Sequence, residues 1–131
     1  CNKKSGLIGV SGLSNDMRTL IEKSSAGDDR ATLAIDVFCY RVKKYIGAYH
    51  AVLGRLDAIV FTGGIGENAP LVREKICAGM QPLGINVDRE RNDKASSEER
   101  RIDSGEGVAV LVVPTDEEGV IAADTHQLAS K

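Results

Sequence analysis

Apolar residues recur along this chain with a helical period in several places. From Asp29 to Leu53, Ala31, Ala34, Ile35, Phe38, Val42, Tyr45, Ile46, Tyr49, Val52 and Leu53 return at i, i+3, i+4 and i+7, which predicts one long helix over 29–53. The acidic pair Asp28-Asp29 before it and Gly54 after it are start and stop signals. Cys39 and Ala48 widen the stripe, so this helix is expected to pack on two sides, against a sheet and against something more. Lys43 and Lys44 read as its solvated face. A shorter stripe of Met17, Leu20 and Ile21 predicts a helix over 16–23, with Ser14 or Asn15 as its cap and Asp16 and Arg18 in its first turn. Leu71, Val72, Ile76 and Cys77 predict a third helix over 70–80, ended by Gly79 and Pro82.

Between the helices the pattern changes. Asp57-Ala58-Ile59-Val60-Phe61 is a nearly continuous apolar run, which suits a strand buried on both faces in a parallel or mixed sheet. Val108 to Val113 reads as a second buried strand that stops at Pro114. Residues 83–88 alternate at period two and fit a short edge strand. Residues 89–103 are almost all polar, with only Ala95 and Ile102 apolar, and read as a solvated surface. Beyond Pro114, Val120, Ile121 and Leu128 predict a closing helix, with Thr115 and Glu118 spaced as a capping box.

The stretch that organises the chain follows the first strand: Thr62-Gly63-Gly64-Ile65-Gly66-Glu67-Asn68. Glycines there have no Cβ, so the backbone can take positive φ and a flat ligand can approach it. Asn68 is expected to cap a helix that has Pro70 in its first turn. Strand, glycine turn and helix N-terminus together make a nucleotide-site candidate. The competing reading is an ordinary α/β turn, for the glycines match neither the Rossmann nor the P-loop spacing. Asp16 likewise reads as a plain helix-dipole partner, whereas Arg18 at a helix start is disfavoured by the dipole and needs another reason to be there. Glu117 is left unexplained by the capping box. A carboxylate at the C-terminal end of a central strand is where α/β folds place ligands and metal ions, and hard oxygen donors suit Mg²⁺.

Composition narrows the function. The chain has 131 residues, the size of one domain, and a formal charge of −2, which argues against a nucleic-acid binder. Low aromatic content without Trp leaves little for base stacking. No apolar run reaches membrane-spanning length and no signal-peptide pattern opens the chain. The three cysteines, Cys1, Cys39 and Cys77, form no Cys-x-x-Cys pair and are expected to be free thiols in a reducing cytosol. His50 and His126 lack catalytic partners at useful spacing and read as ordinary helix residues. The opening at Cys1 without Met is what a piece of a longer protein would show.

Asn2-Lys3-Lys4-Ser5-Gly6-Leu7, Asp16-Met17-Arg18, Phe61-Thr62-Gly63-Gly64-Ile65-Gly66-Glu67-Asn68 and Pro114-Thr115-Asp116-Glu117-Glu118 resemble, in order and spacing, the C-terminal part of the acetate kinase family. Propionate and butyrate kinases share much of the pattern. The resemblance implies an α/β fold, the ribonuclease H-like half of an actin-like ATPase of the sugar kinase and heat-shock chaperone kind, with a mixed sheet flanked by helices. Residues 1–131 would be most of the C-terminal nucleotide-binding domain of a two-domain kinase. The resemblance further implies that Asp16, Met17 and Arg18 contact the nucleotide beside adenosine. Gly64, Ile65, Gly66, Glu67 and Asn68 would form the adenine-side loop, and Glu117 would hold Mg²⁺. Asp116 and Gly119 depart from the family's usual Asn and apolar residue.

The family's other magnesium ligand, its substrate arginines, its catalytic His and Asp and its His-Gly-Asn-Gly phosphate loop have no counterpart here, so no catalytic residue is assigned to this chain. The implied parent is a cytoplasmic homodimer that transfers the γ-phosphoryl of ATP to acetate, giving acetyl phosphate and ADP. Acetate would be bound by the part that is missing, and acyl-chain selectivity would reside there. A second reading stays open, a non-catalytic nucleotide-binding or assembly module built on the same half-fold. A reductase-type α/β protein is weaker, because the dinucleotide fingerprint is lacking.

Overall fold

The computed structural model describes residues 5–116. In chain order they form α1 (Leu7–Ser11), α2 (Met17–Ser25), α3 (Asp29–Leu53), β1 (Ala58–Phe61), α4 (Gly63–Asn68), α5 (Pro70–Cys77), α6 (Arg89–Asp93), β2 (Arg100–Arg101) and β3 (Ala109–Val112). The sheet order is β1-β3-β2, with β1 parallel to β3 and β2 antiparallel to it. This is the mixed sheet flanked by helices expected for the actin-like class.

The long helix α3 keeps its predicted bounds. Asp28 caps it by accepting a hydrogen bond from the Ala31 N–H, and Gly54 closes it in the left-handed conformation. Its first half supplies the core, where Ala31, Ala34, Ile35 and Cys39 are buried against Leu20 of α2 and Val72 and Ile76 of α5. Its second half adds only the partly buried Val42 and Ile46, while Tyr45, Tyr49, Val52 and Leu53 stand open, Val52 at 82% exposure. The stripe that predicted packing on two sides therefore meets only one partner layer among the described residues. Lys43 is less solvated than expected, because it donates to the Ala78 carbonyl oxygen at 2.5 Å.

The strands correct the expectation of burial on both faces. Ile59 and Phe61 pair with Val110 and Val112, and this face carries the core. The alternate residues Ala58 and Val60 are exposed, since β1 has only β3 beside it among the described residues and period-two alternation sends them to the other face. Residues 83–88 make no strand. A 3₁₀ turn at Gln81–Leu83 and a left-handed Gly84 consume the segment, and only Val87 bridges to Asp103.

Residues 89–103 are more than a solvated surface. Asn92, Ile102 and Asp103 are wholly buried. Asp103 accepts from Arg101 Nε and from the Gly105 and Val110 N–H groups. Burial alone would raise its carboxyl, but the Arg101 guanidinium and the two backbone donors outweigh this and hold it at about 2. Helix α5 ends at Cys77 rather than Met80, and Leu71, expected inward, is exposed. Cys39 and Cys77 are free, as expected, and both are buried, which pushes their thiols up to about 11. The predicted closing helix, Glu118, His126 and Cys1 lie outside the described residues.

Candidate functional site

Two segments far apart in sequence meet at one cleft. The N-terminus of α2 forms one wall and α4 with the following Ala69 the other, around a space of about 650 Å³. That is an ordinary size for a small-molecule site. Asp16, Met17, Arg18, Gly64, Ile65 and Asn68 all line it. Gly66 and Glu67, the other two residues of the expected adenine-side loop, do not.

Asp16 is the N-cap of α2, displacing Ser14 and Asn15 from that role. Its Oδ1 accepts from the Arg18 N–H at 2.9 Å, and Ser14 Oγ in turn accepts from the Asp16 N–H at 3.0 Å. Arg18 folds back so that Nη2 donates to Asp16 Oδ2 at 2.7 Å and Nε to Oδ1 at 3.2 Å. This fork is the other reason for an Arg at a helix start, because the capping carboxylate neutralises it locally. The Arg18 side chain, followed by its backbone N–H, lowers the Asp16 carboxyl, and Asp16 raises the Arg18 guanidinium. Met17 is buried and lines the cleft. Apolar walls from Met17, Ile21 and Ile65, with a polar rim from Asp16, Arg18 and Asn68, suit a flat ligand with hydrogen-bonding edges.

The glycine segment is a helix, not a loop. Thr62 is its N-cap residue, and Asn68 is its last residue rather than the cap of the next helix. Asn68 Nδ2 donates to the Gly64 carbonyl oxygen within the same turn. Only Gly63 of the three glycines has positive φ. Gly66 serves close packing: a Cβ on it would lie 3.0 Å from the Phe61 carbonyl carbon. Gly64 has nothing beyond its own helix within 4 Å of that position among the described residues.

Glu67 points away from the cleft. Its Oε1 accepts both the N–H and the hydroxyl of Thr115, each at 2.9 Å. Because that hydroxyl has one proton, which goes to Glu67, Thr115 Oγ1 accepts from the Gly63 N–H and from the Thr62 hydroxyl, each at 3.0 Å. The first N–H of α4 is thus satisfied within the protein instead of awaiting a ligand. The Thr115 N–H and then its hydroxyl lower the Glu67 carboxyl. Thr115 is committed to this clasp, and its predicted capping partner Glu118 and the metal candidate Glu117 lie outside the described residues. Among the described residues, no group of three or more His, Cys, Asp or Glu side chains is placed to hold a metal ion.

Sequence reasoning missed Arg73. It is wholly buried, and its Nη1 donates to the carbonyl oxygens of Gly66 and Glu67. A signal was present: Ala69, Val72, Ile76, Cys77 and Met80 define the inward stripe, and Arg73 falls within it at i+4 from Ala69.

Comparison with known proteins adds the remaining constraint. The sequence matches the acetokinase family over residues 1–123. It is 52% identical over 127 residues to the acetate kinase of Heliobacterium modesticaldum, covering 97% of this chain and 32% of that protein. The structure resembles Porphyromonas gingivalis acetate kinase with a TM-score of 0.89 at 48% identity, covering 98% of this chain and 32% of that one. A propionate kinase of Francisella tularensis aligns with a TM-score of 0.82 at 42% identity, covering 92% of this chain and 30% of the other. The chain thus spans about a third of the length of the relatives it matches.

Proposed function

This chain belongs to the acetokinase family, and from that premise we propose that the cleft between α2 and α4 holds the adenosine part of ATP or ADP. One observation carries the reading: Asp16, Met17 and Arg18 on one side and Gly64, Ile65 and Asn68 on the other, distant in sequence, converge on one space with apolar walls and a polar rim. Ile65 and Met17 would flank the base, and Arg18 and Asn68 would offer donors to its edges or to ribose. Gly64 leaves the approach open, because among the described residues nothing beyond its own helix and chain neighbours lies within 4 Å of where its side chain would start.

The whole protein, of which this chain is a part, transfers the γ-phosphoryl of ATP to acetate, giving acetyl phosphate and ADP. Mg²⁺ supplies charge neutralisation at the phosphates in such transfers. Mg²⁺ takes one or two carboxylates and fills its shell with water and phosphate, so Glu117, after β3, suffices as this chain's contribution. A second copy of the chain covers the open face of α3. Tyr45, Tyr49, Val52 and Leu53 form an apolar strip there, and single exposed apolar residues would not align so. Buried free thiols at Cys39 and Cys77 support a reducing, cytoplasmic setting, and among the described residues no helix is long and apolar enough to cross a membrane.

The test is acetate-dependent ADP formation by the whole protein, with propionate as a second acceptor. Turnover with acetate, weakened through a higher nucleotide KM by Arg18→Ala, is the expected result. Saturable nucleotide binding without phosphoryl transfer to either acid would instead favour a non-catalytic nucleotide-binding module.

A further inference from the structure

We propose that Arg73 is a positioning residue for the nucleotide cleft, fixing α4 from behind through its carbonyl oxygens. The guanidinium is wholly buried beneath α4. Nη1 donates to the Gly66 oxygen at 2.8 Å and to the Glu67 oxygen at 2.9 Å. Nε donates to Asn92 Oδ1 at 2.8 Å and Nη2 to the Asn92 carbonyl oxygen at 2.7 Å. Asn92 is itself wholly buried and anchored by donating to the Pro70 carbonyl oxygen. The fork therefore joins α4, α5 and α6 at one point.

Core filling does not account for this group. A buried cation is costly unless its donors are matched, and a Leu or Met would fill the volume without that cost. Among the described residues, Arg73 forms no ion pair with a carboxylate. Its charge is spent on carbonyl oxygens, and the two on Nη1 are at the C-terminal end of α4, where a cation complements the helix dipole. That helix has only six residues, three of them glycine, so it holds little intrinsic helical stability. It nevertheless supplies Gly64, Ile65 and Asn68 to the cleft. Thr115 secures its first turn and Arg73 its last, and the cleft wall is as well placed as these two attachments make it.

This inference rests on the nucleotide reading of the cleft. Adenosine contacts are made equally in ground and transition states, so their loss raises KM with kcat unchanged. In the whole protein, Arg73→Lys keeps a charge but loses the fork. We expect it to raise the nucleotide KM about tenfold, equivalent to about 1.4 kcal/mol of lost binding. The acceptor KM and kcat should stay within twofold, and Arg73→Met should give a larger effect of the same kind. Should Arg73→Met fail to fold, Arg73→Lys and Asn92→Ala carry the test. A lowered melting temperature with an unchanged nucleotide KM in these variants would assign Arg73 a purely structural role and overturn the proposal. Absence of saturable ADP binding by the unsubstituted protein would instead overturn the nucleotide reading itself.

Discussion

Gly64 and Gly66 are two residues apart in one short helix, and the structure predicts opposite consequences for replacing them with Ala. A Cβ at Gly66 would lie 3.0 Å from the Phe61 carbonyl carbon and 3.4 Å from its Cα and Cβ. That backbone cannot retreat freely, because the Phe61 carbonyl oxygen accepts the Val113 N–H at 2.9 Å and the residue pairs with Val112 across the sheet. Overpacking of this kind costs about 1–3 kcal/mol. Helix propensity returns about 1 kcal/mol when Ala replaces Gly, leaving Gly66→Ala less stable by about 1 kcal/mol. At Gly64 the new methyl meets nothing within 4 Å among the described residues beyond its own helix, so only the propensity gain of up to about 1 kcal/mol remains. The two variants should therefore differ by about 2 kcal/mol, or about 1 M in urea midpoint for an m value near 2 kcal/mol/M. Urea titration followed by circular dichroism reads this directly, with nucleotide binding measured on the same samples. Gly64→Ala should be the more stable protein and the weaker nucleotide binder. Equal midpoints, or Gly66→Ala the more stable, would refute the close-packing account.

Two further outcomes follow from buried groups. Asp103 is held at about 2 in the folded chain against 3.8 for an unperturbed Asp, so its contribution is present above pH 4 and lost as pH falls towards 2. Its size is about 2 kcal/mol. Asp103→Asn should be less stable at neutral pH and should flatten that acid limb, as acid titration of the unfolding midpoint will show; an unchanged limb would contradict the assignment. Cys39 and Cys77, raised to about 11 by burial, should resist a thiol reagent at pH 8 in a Cys1→Ser background and react together on unfolding. Rapid labelling of either in the native protein would contradict their burial.

Much of this fold is legible from periodicity, and the departures share a cause. Helix α3 could be read to the residue because its stripe is long and both ends carry chemical signals. The cap of α2 could not, since Ser14, Asn15 and Asp16 are all good caps. The choice falls to Asp16, whose carboxylate meets the Arg18 N–H. Glycine propensity argues for a loop at 63–68, yet tertiary contacts override it: Thr115 holds one end and Arg73 the other. The kink at Ala69, with φ −118° and ψ 79°, then separates α4 from α5 and removes Asn68 from the capping position. In the cleft, Asp16, Met17, Arg18, Gly64, Ile65 and Asn68 lie together, although Gly64 follows Arg18 by 46 positions in the chain. Glu67 was legible as a motif residue but not as a clasp, because its partner Thr115 is brought near only by the parallel pairing of β1 with β3.

The central claim, that adenosine sits between α2 and α4, is tested most directly by photolabelling the whole protein with 2-azido-ADP and sequencing the modified peptides. The account predicts label within 15–21 and 63–69, protected by excess ADP and weakened in Arg18→Ala. Label protected by ADP but confined to peptides outside these two segments would contradict it.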